Sequence, residues 1–169
     1  MANSQSICTS FLQDLLGAYH NFSSTNVART VNTADTFKGA LYVATANTTS
    51  TTTMCATVTA YATTVNTIAE VSGTGYTAGG VTVTNGTNPT SSGTNATTGN
   101  IAYWTPTASL SWTGVTLTTP FDTVLIYNST QSNKAVSVHT FGSQTVTAGN
   151  FSLTMPTNSN TTALIRLST

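Results

Sequence analysis

The chain has 169 residues, a formal net charge of zero and a charged fraction of only 5%, against about 25% in an ordinary globular domain. Its four cations, Arg29, Lys38, Lys134 and Arg166, are scattered, which excludes the clustered basic surface a nucleic-acid partner requires. No apolar run is long enough to cross a bilayer as a helix, so no membrane partner is expected either.

The length suits one domain with a real core. Threonine supplies about a quarter of the residues, and its β-branched side chain suits strands better than helices. The chain does not open on a basic region followed by a clean apolar stretch, so no secretory signal is read there. Near-zero charge removes the long-range repulsion that keeps proteins apart, which fits life inside an assembly.

In chain order, the first predicted element is a helix in "SICTSFLQDLLGAYHNF". Ile7, Phe11, Leu12, Leu15, Leu16 and Tyr19 recur at three- and four-residue steps and form one apolar stripe. Ser4 or Ser6 is the expected cap, and Gly17 or Asn21 marks the end. This places an N-terminal helix within residues 1–22 and a single β domain over 23–169. The stripe must be covered, by the chain's own sheet or by a neighbouring subunit. Cys8, in this stretch, and Cys55 have neither CxxC nor zinc spacing. Two free thiols are expected, with a bridge from the helix to the Thr-rich segment as the alternative.

From Thr36 the period becomes two. "TFKGALYVATA" reads as a strand with Phe37, Leu41 and Val43 on one face, whereas "ANTTSTTTMCATVTAYATTVNTIAE" permits strand or helix. "GVTVTN" alternates and ends in Asn85-Gly86, a two-residue turn signal. "TNGTNPTSSGTNATTGN" reads as a long exposed loop. Then "IAYWT", "ASLSWTG", "GVTLTT", "DTVLIYN", "KAVSVHTF", "QTVTAG", "NFSLTMP" and "TALIRLS" follow about ten residues apart, punctuated by Gly and Pro. The expected fold is mainly β, a β-sandwich or jelly-roll-like domain with one N-terminal amphipathic α-helix.

The glycine-rich "EVSGTGYTAGG" raises the question of a phosphate loop. Such a loop needs Lys and Ser or Thr after its last glycine, opening a helix; here "VTVT" follows Gly80. The reading is a pair of turns, with Tyr76 laid over the core. Asp14, Asp35, Glu70, Asp122, His20 and His139 are the remaining chemical inventory, without a GxSxG or HExxH pattern. No catalytic residue, metal site or cofactor is expected. His20 is read as complementing a helix C-terminus, and His139 as standing on the solvent face of a strand. A structural ion pair is expected among Lys38, Glu70, Asp122 and Arg166. Trp104 and Trp112 are read as core aromatics, the alternative being that they and Tyr103 are exposed rings for stacking on sugars.

Taken together, "FLQDLLGAYHNF", "DTFKGALY", "EVSGTGYTAGG", "VLIYN", "NKAVSVHTFG", "FSLTMP" and "ALIRL" resemble a family of small structural proteins of tailed bacteriophages. The resemblance runs through nearly the whole chain, and "EVSGTGYTAGG" is its most specific part. It implies a virion component without enzymatic activity, a decoration or cement protein on the capsid surface, made in the host cytoplasm, with the major capsid protein as partner. The alternative is a tail-, neck- or head-fibre-associated protein with an adhesive, glycan-binding role. Closed symmetry suggests a homotrimer. Partner contacts are expected from Phe11, Leu12, Leu15, Leu16 and Tyr19 of the helix and from Asn88 and Asn95 of the long loop.

Overall fold

The computed structural model describes residues 5–16, 19–22, 34–44, 53–92 and 101–168, and within the helix it leaves out the side chains at positions 9, 12, 13 and 16. The protein is mainly β, and every strand pairing among the described residues is antiparallel. In chain order the elements are β1 (Ser6–Ile7), α1 (Thr9–Leu16), β2 (Phe37–Val43), β3 (Thr64–Val65), β4 (Ile68–Ala69), β5 (Val81–Thr82), β6 (Thr90–Ser92), β7 (Ile101–Trp104), β8 (Leu110–Asn128), β9 (Lys134–Leu153) and β10 (Ile165–Ser168). They form a five-stranded sheet in the order β1-β9-β8-β2-β5, a three-stranded sheet β10-β7-β6 and the small hairpin β3-β4.

The N-terminal stretch departs from expectation. Its helix has only eight residues. Ser6, read as a helix cap, belongs instead to β1, where Ser6 and Ile7 pair with Val138 and Ser137 of β9. Open backbone groups along β9 satisfy those two residues better than a first helical turn, whose amides lack partners. At the other end, Tyr19 N–H donates to Asp14 O (2.9 Å), a six-to-one bond of the kind that closes helix C-termini.

Opposed residues of an antiparallel pair share a face. The registers therefore put Gly39, Leu41, Val124, Ile126, Ser137 and His139 on one side of the large sheet. Phe37 lies on that side too, with Phe22 stacked on it (4.4 Å) and Trp104 of β7 packed against both rings (4.7 and 5.9 Å). The three-stranded sheet thus covers this face. The opposite face, with Ala40, Tyr42, Leu125 and Tyr127, is covered by the segment between β2 and β5. There Tyr61 stacks on Tyr127 (4.4 Å), and Met54, Val58, Ile68 and Val71 are buried. Phe37 and Leu41 share a face as expected, but β2 is buried on its other face as well.

Six of the predicted short strands are two long ones. β8 and β9 run 19 and 20 residues, and their ladder shifts register at five places. Gly114 (φ 63°) and Ala148 (φ 45°) sit at two of these shifts. Extra residues bend and twist such a ribbon without ending it, so what reads as a break is a bulge. The turn signal at Asn85-Gly86 fails for another reason: β5 and β6 lie in different sheets, and Asn85 is used for side-chain bonding described below. Gly79 and Gly80 do make the expected turn. Both have positive φ, and a Cβ on Gly80 would fall 1.8 Å from Gly39 O.

Candidate functional site: an apolar groove beside the helix

Between α1 and the three-stranded sheet lies a groove of about 120 Å³. Phe11, Phe22 and Trp104 form its floor, and Leu15, Tyr103 and Leu167 rise around them. The floor is rigid for identifiable reasons. Trp104 Nε1–H donates to Asn85 Oδ1 (3.2 Å) and Thr87 O (3.1 Å), while Asn85 Nδ2 donates to Phe22 O (2.8 Å). One asparagine therefore ties the two aromatic residues together.

A buried polar group holds the helix side of the groove. Asp14 meets Lys134 Nζ at 2.6 Å, and its second oxygen lies 3.8 Å from His20 Nε2. His20 is buried among Phe11, Phe22 and Phe37 and reaches Asn128 through Nδ1 (3.1 Å). Asn128 also donates to Asp35 (2.8 Å), which accepts from Asn21 N–H (2.7 Å) as well. These bonds fasten the end of α1 to the β8–β9 turn. His20 is thus part of a buried network, a larger role than complementing a helix terminus.

The residues expected to meet a partner divide. Phe11 is only 1% exposed and belongs to the chain's own core, because the groove floor needs a large apolar group against Phe22; as a free contact it is corrected. Leu15 is half-buried on the groove wall, and Tyr19 is 48% exposed beneath the Lys134 ammonium (4.5 Å). Asn88 is exposed next to Pro89 on the groove lip. The Leu12 and Leu16 side chains and all of Asn95 lie outside the described residues. The groove thus joins the helix with the first part of the loop, two regions far apart in sequence. Their meeting depends on the pairing of β7 with β10; both strands are legible in the sequence, but their pairing is not.

Glu70 is buried and accepts from Tyr61 and Tyr76 hydroxyls (both 2.7 Å) and Gly79 N–H (2.8 Å). Its charge is satisfied by these donors, and a part-buried ion pair that was not expected joins Asp14 and Lys134. Arg166 instead donates to the carbonyls of Asn160 and Thr161. His139 is part-exposed, in the wall of an open cavity of about 330 Å³ with Phe141 and Leu164, not on a bare strand face. It is mostly covered, burial pushes its imidazole down to about 4, and Ser137 Oγ lies 2.8 Å from its Nε2. Ser137 itself is fully buried, so this pair does not present a nucleophile to a substrate. Among the described residues no group of three or more His, Cys, Asp or Glu could hold a metal ion. Trp104 and Trp112 are both core residues, as their alternation in sequence implies.

No protein-family model, curated protein or solved structure matches the chain.

Proposed function

We propose that this chain is a structural protein of a tailed-bacteriophage virion, a decoration protein that lies on the capsid and bridges neighbouring copies of the major capsid protein. The observation that carries the reading is the apolar groove beside α1. Its floor is fixed by hydrogen bonds, it is lined almost wholly by carbon, and Asn88, next to its lip residue Pro89, is exposed. Such a groove takes up one or two apolar side chains of a partner, with a polar rim to fix orientation. The near-uncharged chain and the phage-like sequence phrases support the same reading. Many weak contacts repeated around a closed shell add up to stabilisation without any single strong one.

In this reading the domain is a β-sandwich of jelly-roll type, and three copies associate around a symmetry axis of the shell. Burial of Trp104 and Trp112 counts against the adhesive, tail-associated alternative, which keeps only the half-buried Tyr103 of its three aromatic rings.

The test has two arms. Quantitative mass spectrometry of purified particles gives copies of this chain relative to the shell subunit. A simple lattice ratio is expected, and a handful of copies per particle would overturn the decoration reading in favour of a tail or neck station. Ala102→Glu places a charge on the groove lip at an exposed strand position. It is expected to strip the protein from particles while its circular dichroism stays unchanged; full occupancy would show that the groove is not the contact.

A further inference from the structure

We infer that Cys8 and Cys55 are an oxidative modification site, a thiol pair that closes into an intramolecular disulfide once the protein meets a low-molecular-weight disulfide such as oxidised glutathione. Both cysteines are free in this structure. The geometry rests on the outer edge of β9. Cys8 N–H donates to Val136 O (3.1 Å), and Ala135 N–H, one residue earlier, donates to Thr59 O (2.9 Å). The segments carrying the two cysteines are therefore laid end to end along consecutive residues of one strand. A second contact joins them directly, from Ser10 Oγ to Val58 O (3.5 Å). Cys55 opens the short turn that Val58 N–H closes onto Cys55 O (3.1 Å), and Val58 is the residue that Ser10 reaches.

The two thiols are also unlike in the way a two-step exchange needs. Cys8 is fully buried; burial, with Cys55 adding to it, pushes its thiol up to about 12. Cys55 is part-exposed, with its Sγ 3.2 Å from Thr57 Oγ1. Burial alone would raise its thiol, but hydrogen bonds from Thr57 and Thr53 outweigh that and hold it below the ordinary value. The Cys55 thiolate is thus the attacking group. It displaces one glutathione thiolate from the reagent and forms a mixed disulfide. Cys8 then gives its proton to solvent, attacks the Cys55 sulfur and expels the second glutathione. Two cysteine thiols lose two electrons in all, and one molecule of oxidised glutathione becomes two of the thiol. The bond would fasten the β1–α1 segment to the chain preceding β3.

Incubating the isolated protein with oxidised glutathione tests this, with intact mass and disulfide peptide mapping as readouts, and it does not depend on the capsid reading. The expected product has lost two hydrogen atoms, contains a Cys8–Cys55 peptide and melts about 5–10 °C higher. Its formation from the mixed disulfide should quicken about tenfold per pH unit near neutrality, as the buried thiol ionises. Cys8→Ser should stop at a glutathione adduct on Cys55, and Cys55→Ser should stay largely unmodified. Wild-type protein that stops at the adduct, links only between molecules, or keeps both thiols would overturn the inference.

Discussion

Lys134 Nζ and Asp14 Oδ1 lie 2.6 Å apart although 120 residues separate them in sequence. The carboxylate is almost entirely buried, whereas the lysine keeps about a third of its side chain in water (8% and 30% exposed). The two halves of the pair are therefore unequal. Removing the cation strands a buried charge, but removing the carboxylate leaves a lysine that turns to solvent. Lys134→Met is expected to cost about 2 kcal/mol in urea unfolding and Asp14→Asn about 1. Equal costs, or a larger one for Asp14→Asn, would contradict this asymmetry.

Glu70 accepts three hydrogen bonds from two tyrosines and a backbone amide. Glu70→Gln sets an NH₂ group against one of those donors and removes the charge that strengthens all three. A loss of about 2–3 kcal/mol is expected, read from the denaturant midpoint. A change within error would mean that water replaces the lost acceptor.

The same cluster makes the protein sensitive to alkali. Burial, together with the charge of Glu70, raises the phenols of Tyr42, Tyr61 and Tyr76 and pushes Tyr127 up to about 12. The folded values exceed the unfolded ones, so the stabilisation is complete below about pH 10. It is lost as pH climbs from there toward the folded values, because the unfolded chain releases protons that the folded one keeps. Phenolate absorbance of folded protein should lag that of the denatured chain between pH 10 and 12. Coincident titration curves would refute it.

His139 acts in the opposite direction. Its folded value, about 4, lies below the ordinary one because of burial, so its contribution is complete above about pH 6.5. That contribution falls as pH drops toward 4, by up to about 1.4 kcal/mol per pH unit. His139→Gln should flatten the dependence of unfolding free energy on pH between 6.5 and 5. An unchanged slope would show that other groups dominate acid sensitivity.

Thr67, with φ 69°, follows Asn66, with φ 49°, at the exposed tip of the β3–β4 hairpin. Two left-handed residues define a type I′ turn, for which Asn-Gly is the favoured pair, and a β-branched side chain is strained there. Thr67→Gly is expected to stabilise by about 1 kcal/mol. A destabilised variant would mean that the threonine makes a contact worth more than its strain.

How much of this could be read from the sequence differs from residue to residue. Period-two runs correctly announced a β protein, and "EVSGTGYTAGG" was legible as turns because glycine alone fits Gly79 and Gly80. Strand lengths were not legible. Gly114 and Pro120 look like terminators, but β8 runs through both, since a bulge and a strand end use the same residues and only the partner strand decides between them. Asn85-Gly86 fails in a similar way: a hairpin signal is local, whereas the demand of Trp104 Nε1 for an acceptor comes from another strand. Half of the groove was visible as the amphipathic stripe of α1. Which apolar residues stay inside and which remain available was not, because Phe11 is buried by His20 and Phe22, whose positions depend on distant partners such as Asn85 and Asn128.

Strand β1 carries a kinetic consequence. Ser6 and Ile7 find their partners only at Val138 and Ser137, so the first strand made is an edge of the large sheet that waits for nearly the last. Pairing across such a separation is entropically slow. A ribosome must release most of the chain before that edge closes, and a product truncated ahead of β9 keeps β2 and β8 without the strand that joins them to the N-terminus. Refolding should therefore show a late phase in which the N-terminal amides become protected from exchange after those of β2 and β8.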